Sequence, residues 1–144
     1  MIRPMHSVFV YGTLKRGFPN HEAGMNGQRF LGRARTCDAF PLVVAGSWYS
    51  PTLIFEPGVG RCVFGEAFEV GDPALAGLDV IEGTHLPLGY DRVRIPIESV
   101  DDGVVFDAWT YVKNRARIAE IHSEMLAEYH LDSRYVPPLA RMPN

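Results

Sequence analysis

Glu82 is the residue whose type and position point most directly to acid/base chemistry. Asp72-Pro73 predicts the start of a helix, with an N-cap aspartate and proline at the first helical position. At about 100° per residue, Leu75, Leu78 and Glu82 then lie within roughly 60° of one another. A carboxylate facing a core is costly unless it is paired, or unless its pKa rises enough for acid/base work near neutrality. If the last turn of the helix is frayed, Glu82 instead faces water beside Gly83.

The backbone after the first predicted strand is a second candidate for chemistry. Ser7–Tyr11 is a β-branched and aromatic run typical of a strand buried on both faces, and Gly12-Thr13-Leu14 follows it. A glycine at this place leaves backbone N–H groups that no strand pairing uses, and such groups can hold a carboxylate or an oxyanion. An ordinary tight turn explains the same residues. Tyr11 and Tyr90 are candidates to line the site, and packing in the core is the alternative for both.

Other catalytic patterns are missing from the sequence. The five histidines form neither an HxH nor an HExxH pattern, and no serine lies in a GxSxG sequence. Phe18 rather than lysine follows Gly17, which excludes a P-loop. We therefore expect no metal and no nucleotide. Trp48 and Tyr49 form either the rim of a pocket or a surface turn with packed aromatic rings.

The composition is that of a globular protein with no preference for polyanions. The chain has 144 residues, 47% of them hydrophobic and 22% charged, which predicts one domain over residues 1–144 with a proper core. A net charge of -3 without a dense basic cluster argues against nucleic acid and membrane as partners, and leaves the oligomeric state open. With Cys37 and Cys62 as the only cysteines and no signal-like start, we expect a cytoplasmic protein with reduced thiols.

The remaining elements follow from apolar runs bounded by turn residues. Strands are predicted at Arg29–Thr36, Phe40–Ala45, Thr52–Phe55, Arg61–Val70, Tyr90–Ile97 and Val104–Val112. A short helix capped by Asn20 runs to Met25, and the apolar spacing predicts a last helix over 114–129. The tail at 135–138 contains two prolines and is expected to lie across the domain without helical structure.

Several segments, taken in order, resemble one known family. They are Val8–Gly17 followed by Pro19-Asn20-His21, Phe40–Gly46, Gly65–Val70, Leu78–Glu82, Tyr90-Asp91-Arg92 and Thr110-Tyr111-Val112. Across roughly residues 8 to 112 the chain resembles the γ-glutamylcyclotransferase-like superfamily, and within it the γ-glutamylamine cyclotransferase branch. The resemblance implies an α+β fold, a small mixed β-barrel flanked by helices. It also implies that the loop Tyr11 to Leu14 binds the γ-glutamyl group and that Glu82 is the catalytic acid/base.

The function implied by the resemblance is a cofactor-independent cyclotransferase acting on a small-molecule γ-glutamyl substrate. Expected substrates are γ-glutamylamines such as γ-glutamyl-ε-lysine, whose α-amine attacks the γ-carbonyl to release 5-oxoproline and a free amine. One alternative is a cyclotransferase for γ-glutamyl amino acids or other γ-glutamyl compounds. It stays open because Gly83–Gly89 is longer than the branch pattern. The other is a non-catalytic module that binds γ-glutamyl groups or serves interaction.

Overall fold

The computed structural model describes residues 4–141, and these form seven strands, two α-helices and two short 3-10 turns. The predicted domain over 1–144 extends past both ends of this range. The strands are β1 (Met5–Val10), β2 (Arg29–Thr36), β3 (Leu42–Ala45), β4 (Ser50–Leu53), β5 (Phe64–Gly71), β6 (Asp91–Ser99) and β7 (Val105–Val112). The helices are α1 (His21–Met25) and α2 (Asp72–Glu82), and the 3-10 turns are Arg115–Arg117 and Pro138–Ala140.

Five of the strands close into a mixed barrel in the order β1-β5-β2-β6-β7. The pairs β1/β5, β2/β5, β2/β6 and β6/β7 are antiparallel, whereas β1 and β7 run parallel and pair at Val8 and Trp109. β2 carries a bulge between Phe30 and Gly32, where Gly32 has a φ of 129° that suits glycine. The predicted α+β fold with a small mixed β-barrel is confirmed.

β1 is buried on both faces, as its apolar run predicts. Phe9 belongs to one core cluster together with Ile97 of β6, while Val8 and Val10 belong to a second cluster that includes Leu78 of α2. Because successive side chains of a strand point to opposite faces, one strand contributes to both clusters. The barrel and α2 are therefore joined through β1, and the end of β1 lies near the end of α2.

The predicted helix over 114–129 is wrong. Within the described part of the chain after β7, only the 3-10 turns are helical, and the segment runs along the edge of β3. There, His122 N–H donates to the carbonyl of Val44 at 2.8 Å, and Leu126 N–H donates to that of Leu42 at 2.8 Å. Backbone N–H groups of this segment thus bond to the open edge of β3 instead of to carbonyls of their own helix. The contact with β3 therefore outweighs the helical spacing of the apolar residues in the segment.

Two predicted helix starts differ in detail from the structure. The N-cap of α2 is Gly71, and Asp72 is the first helical residue. Asn20 is the N-cap of α1, but its side-chain amide donates to the hydroxyls of Thr13 and Tyr135, at 2.8 and 3.0 Å, and not to the helix. That contact ties the tail to the loop after β1.

The tail lies across the molecule, as predicted. Val136 N–H donates to the carbonyl of Trp48 at 3.0 Å, so the tail is bound to the turn between β3 and β4. Residues 135–137 are not helical, whereas Pro138 opens the second 3-10 turn. This arrangement covers one side of the space above the tip of β1.

Candidate active site

A cavity of about 530 Å³ opens at the tip of β1, between the end of α2, the β3–β4 hairpin and the tail. All six site residues predicted from the sequence line it, namely Tyr11, Gly12, Thr13, Leu14, Glu82 and Tyr90. Concave sites with a few polar groups among apolar walls are the usual form of small-molecule sites. The structure therefore brings the two predicted candidates, the carboxylate and the loop after β1, to one place.

Glu82 is the last residue of helix α2, and it lines the cavity. Leu75 and Leu78 on the same helix are buried in the core, so the face predicted to be apolar is the one that packs. The helix is regular up to Glu82 and ends in a left-handed Gly83 with φ 67°, whose N–H donates to the carbonyl of Val80 at 3.1 Å. The frayed alternative is thus wrong, and Glu82 is held at a defined helix end.

Burial raises the pKa of Glu82 from about 4.5 to about 7, and the positive charges of Lys113 and Arg141 offset part of this rise. The side chain is partly buried within the cavity. A carboxyl group with a pKa of about 7 is present in both protonation states near neutrality. Such a group can accept a proton in one step and donate it in the next.

The loop after β1 presents backbone donors to the cavity. It is held by hydrogen bonds from Lys15 N–H to the carbonyl of Gly12 at 3.2 Å and from Asn20 N–H to that of Thr13 at 2.9 Å. In the described part of the chain, the N–H groups of Gly12, Thr13 and Leu14 donate to no other protein atom. Free N–H groups in a concave site can bind an anion.

The β3–β4 hairpin packs so closely against residue 12 that only glycine fits there. A Cβ atom at this position would lie 2.6 Å from Cγ of Pro51 in β4, closer than real side chains approach. Pro51 also lines the cavity. The glycine therefore lets the hairpin close over the tip of β1, which forms one wall of the site.

The two tyrosines predicted to line the cavity have hydroxyl groups that are already engaged. Tyr11 OH donates to the carbonyl of Tyr111 at 2.7 Å and accepts from Leu53 N–H at 3.3 Å. Tyr90 OH donates to the carbonyl of Pro51 at 2.9 Å. Burial raises the pKa of both phenols above the ordinary value. Both rings lie at the cavity, and both hydroxyls fasten the β3–β4 hairpin to the rest of the molecule.

Three basic residues line the cavity, Lys113, Arg117 and Arg141, and none of them is among the site residues predicted from the sequence. Lys113 directly follows β7, and its Nζ lies 4.6 Å from the centroid of the Tyr90 ring. Arg141 comes from the tail, where its guanidinium lies 4.1 Å from the centroid of the Trp48 ring. A strand end beside the predicted site was the only available signal for Lys113, and none existed for Arg141. Trp48 lines the cavity, which favours the rim interpretation, whereas Tyr49 stacks on His122.

The described residues contain neither a metal-binding cluster nor a membrane-spanning helix. Across residues 4–141, no group of three or more His, Cys, Asp or Glu side chains is placed to hold a metal ion. In the same range, no helix combines the length and the apolar character needed to cross a membrane. Both cysteines, Cys37 and Cys62, are free.

A family model described as gamma-glutamyl cyclotransferase, AIG2-like, matches residues 8–131. The chain belongs to this family. The match includes the end of β1 from Val8 onward, the loop after it, Glu82 and Lys113, and it ends before Tyr135 and Arg141. The resemblance found from the sequence is thereby confirmed.

Relatives in this AIG2-like family cover most of the chain. A Drosophila melanogaster protein with a provisional γ-glutamylcyclotransferase name is 39% identical over 133 residues, 90% of this chain and 83% of that protein. The γ-glutamylaminecyclotransferase of Rattus norvegicus is 42% identical over 101 residues, 67% of this chain and 66% of the rat protein. The chain thus spans slightly less than two thirds of the rat relative. A crystal structure of an AIG2-like protein from Mus musculus has a TM-score of 0.82 and 32% identity, covering 95% of this chain and 99% of that one.

Proposed function

We propose that this protein is a cyclotransferase that releases 5-oxoproline and a free amine from γ-glutamylamines such as γ-glutamyl-ε-lysine. The observation that carries the proposal is the position of Glu82, a carboxyl group with a pKa of about 7 that shares one cavity with the free N–H groups after β1. Relatives in the family named as γ-glutamylaminecyclotransferases support the choice of substrate class. The cavity then has to hold the γ-glutamyl group of the substrate next to Glu82.

The reaction is intramolecular. The substrate's α-amine attacks its own γ-carbonyl, so that a C–N bond closes the five-membered ring and the bond from that carbonyl carbon to the leaving nitrogen breaks. Holding the chain curled supplies much of the rate, because oriented groups reach effective molarities of about 10⁵–10⁸ M. The first task of the cavity is therefore to fix the shape of the γ-glutamyl group.

Glu82 moves the proton that the ring closure releases. An α-amine with a pKa of roughly 8 is largely protonated at pH 7, and the attacking nitrogen must also lose a proton as the new bond forms. Glu82 as carboxylate accepts this proton, and as carboxylic acid donates it to the leaving nitrogen, which departs as a neutral amine. One group thus serves both halves of the reaction, which its raised pKa favours.

The charges of the cavity suit a substrate that brings a carboxylate. Apart from tyrosines, its titratable lining has one carboxyl group, Glu82, and three basic groups, Lys113, Arg117 and Arg141. Arg117 is paired with Asp91, which leaves Lys113 and Arg141 facing Glu82. The N–H groups of Gly12, Thr13 and Leu14 supply donors for the α-carboxylate or for the oxyanion, each oxyanion donor being worth roughly 3–4 kcal/mol.

A cyclotransferase for γ-glutamyl amino acids is the second candidate. The observation in its favour is the pair of cations, Lys113 and Arg141, because one can hold the α-carboxylate of the γ-glutamyl group and the other the carboxylate of a leaving amino acid.

A cytoplasmic location, predicted from cysteine usage, remains a prediction.

The test is release of 5-oxoproline from γ-glutamyl-ε-lysine, γ-glutamyl-alanine and glutathione by the purified protein. We expect turnover of the first, and Glu82→Gln should lower it at least about 10²-fold. Glu98→Gln is the matched control, because Glu98 pairs with Arg35 on the barrel surface. Preference for γ-glutamyl-alanine would favour the second candidate. No 5-oxoproline from any substrate, with folded protein, would overturn the proposal in favour of a binding module.

A further inference from the structure

The loop from Gly83 to Gly89 is folded back on itself. Leu86 N–H donates to the carbonyl of Gly83 at 2.9 Å, and Gly89 N–H donates to that of Leu86 at 3.1 Å. A Cβ atom on Gly89 would lie 1.8 Å from the carbonyl oxygen of Gly83, so only glycine fits there. The Gly83–Gly89 segment, which is longer than the family pattern, therefore forms a compact turn and not an extended loop.

Arg117 binds this loop with most of its guanidinium donors. Its Nε and Nη2 donate to the carbonyl of Pro87 at 3.0 and 2.7 Å, and Nη2 also reaches the carbonyls of Leu86 at 3.3 Å and Gly89 at 2.8 Å. Its Nη1 forms an ion pair with Asp91 at 2.9 Å. Three carbonyl groups of one short loop are thus gathered on a single side chain, a geometry that the planar fork of arginine allows and lysine does not.

The loop presents apolar side chains at the mouth of the cavity. Leu86 is 53% exposed and Leu88 76% exposed, and both line the cavity. Val80 of α2, 68% exposed, and Trp48, 43% exposed, line the same cavity. Exposed apolar side chains grouped around a concave site mark a surface that binds an apolar group.

The part of the substrate that fits this rim is the leaving amine. Tyr90 N–H donates to the carbonyl of Glu82 at 2.9 Å, so the base of the loop is bonded to the residue proposed to protonate the leaving nitrogen. The γ-glutamyl end is polar and matches the N–H groups after β1. A chain attached to the leaving nitrogen would extend outward past Leu86 and Leu88.

We propose that Arg117 is a positioning residue that holds the Gly83–Gly89 loop, and that Leu86 and Leu88 form a wall selecting leaving amines with an aliphatic chain. The inference rests on the proposed cyclotransferase function and adds to it the residues that contact and select the leaving group. Aliphatic amines several methylenes long are favoured over methylamine, because each methylene against the wall is removed from water.

The test compares γ-glutamyl-n-butylamide with γ-glutamyl-methylamide, which differ by three methylenes. At roughly fourfold per fully buried methylene, partial burial predicts a kcat/KM about tenfold or more higher for the butylamide. Arg117→Met should remove most of this preference while changing kcat/KM for the methylamide much less. Leu86→Ser combined with Leu88→Ser should do the same without disturbing Arg117.

Arg115→Met is the matched control. Arg115 lies in the same 3-10 turn and also makes a two-point contact, with Glu56 at 2.7 and 2.8 Å, but it does not line the cavity. We expect this variant to keep the butylamide preference. A merely structural role for Arg117 would lower kcat/KM for both amides equally.

Hydrogen exchange supplies a readout that does not depend on turnover. The amides of Leu86, Gly89 and Tyr90 should exchange faster in Arg117→Met than in Arg115→Met, and Arg117→Lys allows the same comparison if the methionine variant does not fold. Equal kcat/KM for the two amides in the active wild-type protein would overturn the inference alone. An unchanged preference and unchanged exchange in Arg117→Met would overturn the role of Arg117. No 5-oxoproline from either amide, by a protein that does release it from γ-glutamyl-ε-lysine, would also overturn the inference alone, whereas no 5-oxoproline from γ-glutamyl-ε-lysine either would overturn the proposed function itself.

Discussion

The backbone N–H of Tyr90 donates to the carbonyl of Glu82 at 2.9 Å, which joins the last residue of α2 to the residue before β6. Glu82 is therefore fixed from two sides, by the helix that ends on it and by the strand that begins after the loop. Because its backbone is held in this way, Glu82 loses little further conformational entropy when it is positioned for proton transfer. The precision of the proposed proton transfer thus depends on a closed loop as well as on a helix.

Glu82→Gln should stabilise the protein at pH 8. The pKa of Glu82 is raised to about 7 in the folded protein, so folding favours the protonated form, and stability is lost as pH rises from about 4.5 to about 7. Glutamine stays neutral, and at about 1.4 kcal/mol per pKa unit the variant gains up to about 3 kcal/mol at pH 8. Urea unfolding of both proteins at pH 8 measures the difference.

The same pair of proteins should differ little at pH 4.5, where the wild-type carboxyl group is protonated. Other titrating groups are common to both chains, so the change of the difference with pH isolates Glu82. An equal difference at both pH values would mean that the carboxylate is well solvated and that its pKa is ordinary.

Lys113→Met should move the acidic limb of the pH–rate profile to higher pH. The lysine charge lowers the pKa of Glu82, so its removal raises that pKa further, and the ionised base then appears only at higher pH. The kcat/KM profile for a γ-glutamylamine between pH 5 and 9 measures the shift. Arg29→Met, which removes a surface cation paired with Glu69, serves as the control and should leave the limb in place. A shift of the limb to lower pH in Lys113→Met would contradict this prediction.

Gly12→Ala should destabilise the protein and reduce turnover. The new Cβ would meet Cγ of Pro51 at 2.6 Å, and overpacking of this kind costs about 1–3 kcal/mol. Gly77→Ala is the matched control, because a Cβ on this exposed helical glycine meets nothing within 4 Å and should stabilise α2 by about 0.5–1 kcal/mol. Thermal unfolding and 5-oxoproline release measure both effects. If the two alanine variants behave alike, the close approach of Pro51 is not important.

Tyr11→Phe should lower stability by about 1–3 kcal/mol while changing kcat/KM only a few-fold. The buried hydroxyl links the carbonyl of Tyr111 to the N–H of Leu53, and its loss leaves these groups with one partner fewer. Since the hydroxyl is already engaged, the substrate is not expected to use it. Denaturant unfolding and steady-state kinetics together separate the two roles. A large loss of kcat/KM in a folded variant would assign the hydroxyl to the substrate instead.

Local signals in the sequence were sufficient for the elements that carry the site. The apolar run before Gly12 predicts β1, and the spacing of Leu75, Leu78 and Glu82 predicts the buried face of α2; both are confirmed. Each depends on a period of two or 3.6 residues that a single segment displays. The placement of Glu82 in a cavity therefore follows from a helix only a few turns long.

The parts that the sequence alone does not reveal depend on distant partners. The spacing of Ile118, Ile121 and Met125 is helical, yet the segment pairs with β3, whose open edge is created only when the hairpin folds. Arg141 reaches the cavity because the tail crosses the hairpin turn, which no local pattern records. Pairings between remote segments are decided by the assembled fold.

The parallel pairing of Val8 with Trp109 also affects how the protein is made. A ribosome delivers β1 first, and at about 5–20 residues per second its partner β7 emerges only roughly 5–20 s later. Until β7 has emerged, β1 lacks one of the two strands that flank it in the barrel, so its apolar side chains stay incompletely covered. Lys113 and Arg141 are synthesised later still, so the growing polypeptide completes its charged pocket only after all seven strands have emerged.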